Sequence, residues 1–137
     1  MIIKLSKELY QKMEVDAKDR APKEACGLIG GLVDEEKIEV KSIYSLKNLD
    51  QAEDHFSMDP KEQFKVVKEL RKKGQSLIGN YHSHPLTPAR PSDEDKRLAY
   101  DEDLIYFILS LQNEANLKAF KIKDQTEVEE IEIIKED

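Results

Sequence analysis

Between Ala25 and Asp34 the chain runs Cys26-Gly-Leu-Ile-Gly-Gly-Leu-Val33 without one polar side chain. The run is too short for a helix, and its glycines suggest a central strand closely approached by other backbone. Asp34-Glu35-Glu36 makes a turn, and Ile38, Val40 and Ile43-Tyr44 give a second strand. The two pair naturally as a hairpin.

Around this hairpin the remaining elements follow from their punctuation. Ser6 is the N-cap expected for a first helix reaching about Arg20, with Leu9, Met13 and Ala17 as its buried stripe. The polar stretch 48–54 reads as a loop and 55–58 as a short strand. Asp59-Pro60 with Glu62 marks a helix start, and Gly74 suits its left-handed stop. Phe64, Val67 and Leu70 are the expected core residues of that helix.

Ser76-Leu-Ile-Gly-Asn-Tyr81 is a third strand and runs directly into His82-Ser83-His84-Pro85. Pro85, Pro88 and Pro91 make the next segment a stiff, irregular loop. A short acidic helix over 92–100 and three closing strands at 104–111, 117–122 and 128–134 complete the chain. Early helices between strands and late consecutive strands argue for a mixed α/β (α+β) domain, its sheet packed by the first two helices. No repeat or linker divides residues 1–137, so one domain is expected.

Composition narrows the partners. The net charge is −7, and lysines and arginines alternate with acids over 61–73 and 118–135. That mixed-sign surface lacks the basic stripe of a nucleic-acid binder. A single cysteine, Cys26, permits no internal disulfide and points to a reducing compartment. No apolar run is long enough to span a bilayer, so a soluble cytoplasmic protein is expected. Cys26, in an apolar strand, reads as a buried small hydrophobe, and His55 as an ordinary surface or hydrogen-bonded histidine.

The chemistry concentrates at His82, His84, Ser92 and Asp95. Histidines at i and i+2 on a strand end project to one face, with Cα atoms roughly 7 Å apart, and can converge on one Zn²⁺. Ser83 between them should face the other way and hydrogen-bond locally. Ser92-x-x-Asp95 is also a capping pattern for the short helix. The two readings of it are compatible, because the proline-rich loop keeps that first turn near the histidines and makes Asp95 a candidate third ligand. Three protein ligands leave a fourth tetrahedral position for water, the pattern of a catalytic zinc. In isolation Glu24 is one surface glutamate among many.

Taken together, Glu24, His82-Ser-His-Pro85 and, after seven residues, Ser92-x-x-Asp95 resemble the signature of the JAMM (MPN+) metallopeptidase family. Glu24-Ala-Cys-Gly-Leu-Ile-Gly30, Phe56-Ser-Met-Asp-Pro60 and Gly79-Asn-Tyr-His-Ser-His-Pro85 look like its compact prokaryotic members. The resemblance implies a cytidine-deaminase-like α/β/α sandwich with a central mixed sheet. It implies one zinc ion on His82, His84 and Asp95, Glu24 as general acid/base, and Ser92 stabilising an oxyanion. The implied substrate is the bond after the C-terminal tail of a ubiquitin-like or sulfur-carrier protein. A non-catalytic MPN-like module that binds such a partner is the competing expectation. A zinc deaminase, with its cysteine ligands, does not fit a chain with one cysteine, and no H-E-x-x-H run occurs.

Overall fold

Ser6 ends one element and starts the next. It is the last residue of β1 (Ile2–Ser6) and caps α1 (Lys7–Arg20), its hydroxyl accepting the Leu9 N–H at 3.1 Å. In this computed structural model, which describes residues 1–136, the chain continues as β2 (Cys26–Val33), β3 (Lys37–Leu46), α2 (Pro60–Lys72) and β4 (Ser76–His84). It then forms α3 (Asp93–Arg97), β5 (Ile105–Ser110), β6 (Asn116–Lys123) and β7 (Glu127–Glu136).

β2 is central, as its glycines suggested. It pairs antiparallel with β3 on one side and β4 on the other. β4 runs parallel to β5, and β5, β6 and β7 follow as an antiparallel meander. β1, which the sequence reading did not anticipate, pairs parallel with both β3 and β7 and closes the sheet into a barrel. No helix among the described residues is long and apolar enough to cross a membrane.

Alternation along β2 separates two packing faces. Ile29 joins Ile3, Leu5, Tyr81 and Phe107 with Met13 and Ala17 of α1, while Leu28 packs against Val66 and Leu70 of α2. The two helices therefore cover opposite faces of the sheet, and the architecture is mixed α/β. Gly30 lets α2 come close: a Cβ there would stand 2.3 Å from Leu70 Cδ2. The ladder shifts register on both sides of this position, a bulge that strengthens the local twist.

Three local expectations are corrected. Residues 55–58 form no strand; they are an irregular segment held by side-chain hydrogen bonds described below. The last helix is shorter than 92–100, ending at Arg97. Phe64 is not core: it is 62% exposed, with Lys68 Nζ 5.4 Å from its ring centroid. Val66 and Leu70, four residues apart, make the buried stripe, and Phe64 lies about 200° round the helix from Val66.

This predicts a contrast measurable by chemical denaturation. Leu70→Ala should cost about 2–4 kcal/mol of unfolding free energy. Phe64→Ser should stay within about 0.5 kcal/mol of the wild type. Equal losses would put Phe64 back in the core.

Candidate metal centre

The end of β4 is fixed by its neighbours. Cys26 of β2 stands opposite His82, and Ile108 and Ser110 of β5 pair with His82 and His84. Both histidines are buried. Ser83, between them, turns to the α1 face as expected, but its partner lies across the sheet. Its hydroxyl accepts the Ala25 N–H at 2.7 Å, and its own N–H donates to the Ala25 carbonyl at 2.9 Å. The residue that follows Glu24 is thus fastened to the residue between the two histidines.

The loop after β4 sets the rings. His84 Nδ1–H donates to the Pro88 carbonyl at 2.9 Å, which leaves the Nε2 lone pair free to ligate. Ser92 caps α3 through a full capping box: its hydroxyl accepts the Asp95 N–H at 3.0 Å and its N–H donates to Asp95 Oδ2 at 2.9 Å. The same Oδ2 lies 3.2 Å from His82 Nε2 and 3.1 Å from His84 Nε2, and these nitrogens are 3.1 Å apart. Capping and convergence therefore coexist at Asp95.

These residues are the candidate metal group among the described residues. Ligands at about 2.0–2.1 Å from a tetrahedral zinc stand about 3.3 Å from one another, close to the triangle seen here. A carboxylate oxygen and two imidazole nitrogens are also ligand types that zinc accepts. The donor set therefore fits such an ion. The other nitrogen of His82, Nδ1, is buried and has no partner among the described residues. Its ring is steadied instead by Phe56, stacked at 4.7 Å between centroids and 25° between planes.

The two carboxyl groups of the site have opposite tendencies. Burial would raise Asp95, but the electrostatic influence of His82, the close approach of both imidazoles and the hydrogen bond from the Ser92 N–H overcome it and hold the group well below the usual carboxylate range. Glu24 is only 4% exposed, and its Oε1 has no partner among the described residues. Burial first, then the charges of Asp95, Asp54 and Glu94, push it up to about 9. Glu24 shares a cleft of about 670 Å³ with His84, Leu86, Thr87 and Ser92. The Ser92 hydroxyl, which uses a lone pair for capping, keeps a proton to donate there.

The remaining residues behave structurally. Burial pushes the Cys26 thiol up to about 11, so it stays protonated at neutral pH. His55 is hydrogen-bonded to Asp54 Oδ1 at 2.8 Å, which raises its pKa. Tyr81 lies on the α1 face and donates to Asp16. Sequence reasoning missed the contact of Phe56 with His82, which links segments 26 residues apart and leaves no periodic signal.

Glu24 gives the metal-free protein a pH signature. Its folded value, about 9, lies above its ordinary 4.5. Between those limits the folded state keeps a proton that the unfolded chain has released, so stability falls as pH rises. The slope approaches about 1.4 kcal/mol per pH unit at most. Glu24→Gln removes that titration. Metal-free Glu24→Gln should therefore melt higher than metal-free wild type at pH 8, with the gap closing near pH 4.5. A gap independent of pH in denaturation curves would contradict the protonated Glu24.

Known proteins resemble this chain in sequence and fold. A family model for prokaryotic homologues of the JAB domain matches residues 6–123. A CysO-cysteine peptidase of Mycobacterium tuberculosis is 27% identical over 94% of this chain and 88% of its own length. A probable TtuB-protein conjugate cleaving protease of Thermus thermophilus is 31% identical over 69% of this chain and 62% of its own. Among solved structures, a protein of Desulfitobacterium hafniense superposes with a TM-score of 0.91 at 48% identity, covering 99% of this chain and 94% of that one. With the family match spanning all but the first few residues and β7, the chain belongs to the prokaryotic JAB (JAB/MPN) domain family.

Proposed function

We propose that residues 1–137 act as one catalytic domain, a zinc-dependent peptidase or isopeptidase. The observation that carries the reading is the convergence of His82 Nε2, His84 Nε2 and Asp95 Oδ2 beside the buried carboxyl of Glu24, whose Oε1 has no partner among the described residues. Helices packed against the two faces of the mixed sheet, which here closes into a barrel, are in keeping with a cytidine-deaminase-like fold.

In this reading His82, His84 and Asp95 hold one zinc ion, which supplies Lewis-acid polarisation and an acidified water. Glu24 accepts the proton of the attacking water and delivers it to the leaving amine, the work of a general base and then a general acid. Its burial in a cleft with few hydrogen-bond partners suits a group that must change protonation state in each turnover. The Ser92 hydroxyl donates to the oxyanion of the tetrahedral intermediate. His84, locked by Pro88, and His82, stacked on Phe56, keep their ligand nitrogens aimed through the cycle.

The substrate class follows from the relatives. One is named a CysO-cysteine peptidase and another a protease that cleaves TtuB-protein conjugates. These names support a conjugate in which the C-terminal tail of a ubiquitin-like or sulfur-carrier protein is joined to an amino acid or to a protein.

Elemental analysis tests the metal and turnover tests the chemistry. Wild type purified without added metal should carry about one zinc per chain, and His84→Ala far less. Glu24→Gln should keep its zinc yet lose about 100-fold or more of the hydrolysis of C-terminally extended ubiquitin-like carriers. A wild type that cannot be loaded with metal refutes the peptidase and leaves a non-catalytic module that binds a ubiquitin-like partner.

A further inference from the structure

Glu24 and His82 are adjusted by one side chain outside the ligand set and outside the cleft's acid–base machinery. Asn48 follows the end of β3 and is 5% exposed. All of its polar capacity is turned inward. Its Nδ2 donates to the Glu24 carbonyl at 3.1 Å and to the His55 carbonyl at 3.1 Å. Its Oδ1 accepts the Asp50 N–H at 3.0 Å and the Ser57 N–H at 3.1 Å.

His55 and Ser57 flank Phe56, the residue stacked on the His82 ring. The carboxamide therefore grips the backbone on both sides of Phe56 and, with its other amino proton, the main chain of Glu24. A second tie runs parallel to it: the Glu24 N–H donates to the Ala52 carbonyl at 2.7 Å, and the Leu49 N–H donates to the Ser57 carbonyl at 2.8 Å. Because His82 Nδ1 has no acceptor among the described residues, the stack with Phe56 takes over the orienting task that a hydrogen bond usually performs for a ligand histidine.

We propose that Asn48 is a positioning residue that sets the Glu24 backbone and, through Phe56, the plane of the His82 ring. The inference about turnover rests on the peptidase reading; the inference about the ring does not. Asparagine is required because the four contacts need two donors and an acceptor with two lone pairs on one planar group. Aspartate keeps the acceptor and loses both donors; leucine keeps the volume and loses everything. A displacement of about 1 Å at a proton-transfer group is enough to cost 100-fold in rate.

The test uses the full chain with Asn48→Asp and Asn48→Leu, each loaded with zinc and, separately, with Co²⁺. Both variants should keep one metal per chain. On the carrier conjugate that the wild type cleaves, kcat should fall at least tenfold while KM stays within about threefold, since the Glu24 N–H to Ala52 carbonyl bond still ties the cleft wall to the core. The visible absorption bands of the Co²⁺ form should shift in both variants and in Phe56→Leu, because the His82 ring loses its support. If Asn48 only stabilises the fold, its variants melt lower but keep wild-type kcat and Co²⁺ spectra below their melting temperature, and the proposal falls. If Asn48→Leu does not fold, Asn48→Asp decides by the same readouts. A wild type that binds Co²⁺ but cleaves no conjugate would overturn the peptidase reading alone, and the spectra would still test the hold on His82.

Discussion

The antiparallel pairing of β2 with β4 puts Cys26 opposite His82 and brings Ala25 against Ser83. A slip of one residue would turn His82 and His84 into the α1 core and Tyr81 and Ser83 out toward the cleft. The register is held by features that tolerate no such slip. Gly27 leaves room for the Tyr81 ring, and the bulge at Gly30 accommodates Leu70. The site is consequently a property of the core. Residues that never approach the cleft decide which side chains do.

On that frame, electrostatics separates two carboxyl groups that the sequence presents as equals. Asp95 meets two imidazoles and a backbone N–H and is held as an anion. Glu24 meets apolar burial and three other acids and is held as the neutral form. Divergent environments of this kind suit the proposed roles of Asp95 as ligand and Glu24 as proton carrier. A divalent cation at the histidines would oppose the charges now raising Glu24 and bring its value down toward neutrality.

Much of this was legible because local rules coincide with the site. The i, i+2 spacing of His82 and His84 needs only a strand, and Ser92 and Asp95 are placed by the same capping box that starts α3. Cys26–Val33 announced itself as central through its glycines. What stayed hidden depends on contacts distant in sequence. β1 is five residues long and is stabilised by parallel partners at residues 37–39 and 132–136, which no window around Ile2 can reveal. Phe64 was misplaced because helix propensity fixes the helix but not which stripe meets the sheet. Asn48 and Phe56 lie in an irregular segment with no period to read.

Ligands and cleft wall differ in how they are secured. His82 and His84 sit on a strand hydrogen-bonded on both sides, and Asp95 sits in a capped helical turn. The facing wall, with Gln51, Ala52 and Asp54, belongs to a segment outside the sheet. That wall is fastened to the core through the Asn48 carboxamide and the Glu24 N–H, the same groups that fix the Glu24 main chain. In the proposed peptidase, a substrate that pushes the wall outward would pull on Glu24 as well, so the fit of the leaving group and the position of that carboxyl would be mechanically linked. Discrimination between leaving groups would then be expressed in kcat as much as in KM, because a poor fit displaces the catalytic carboxyl along with the wall.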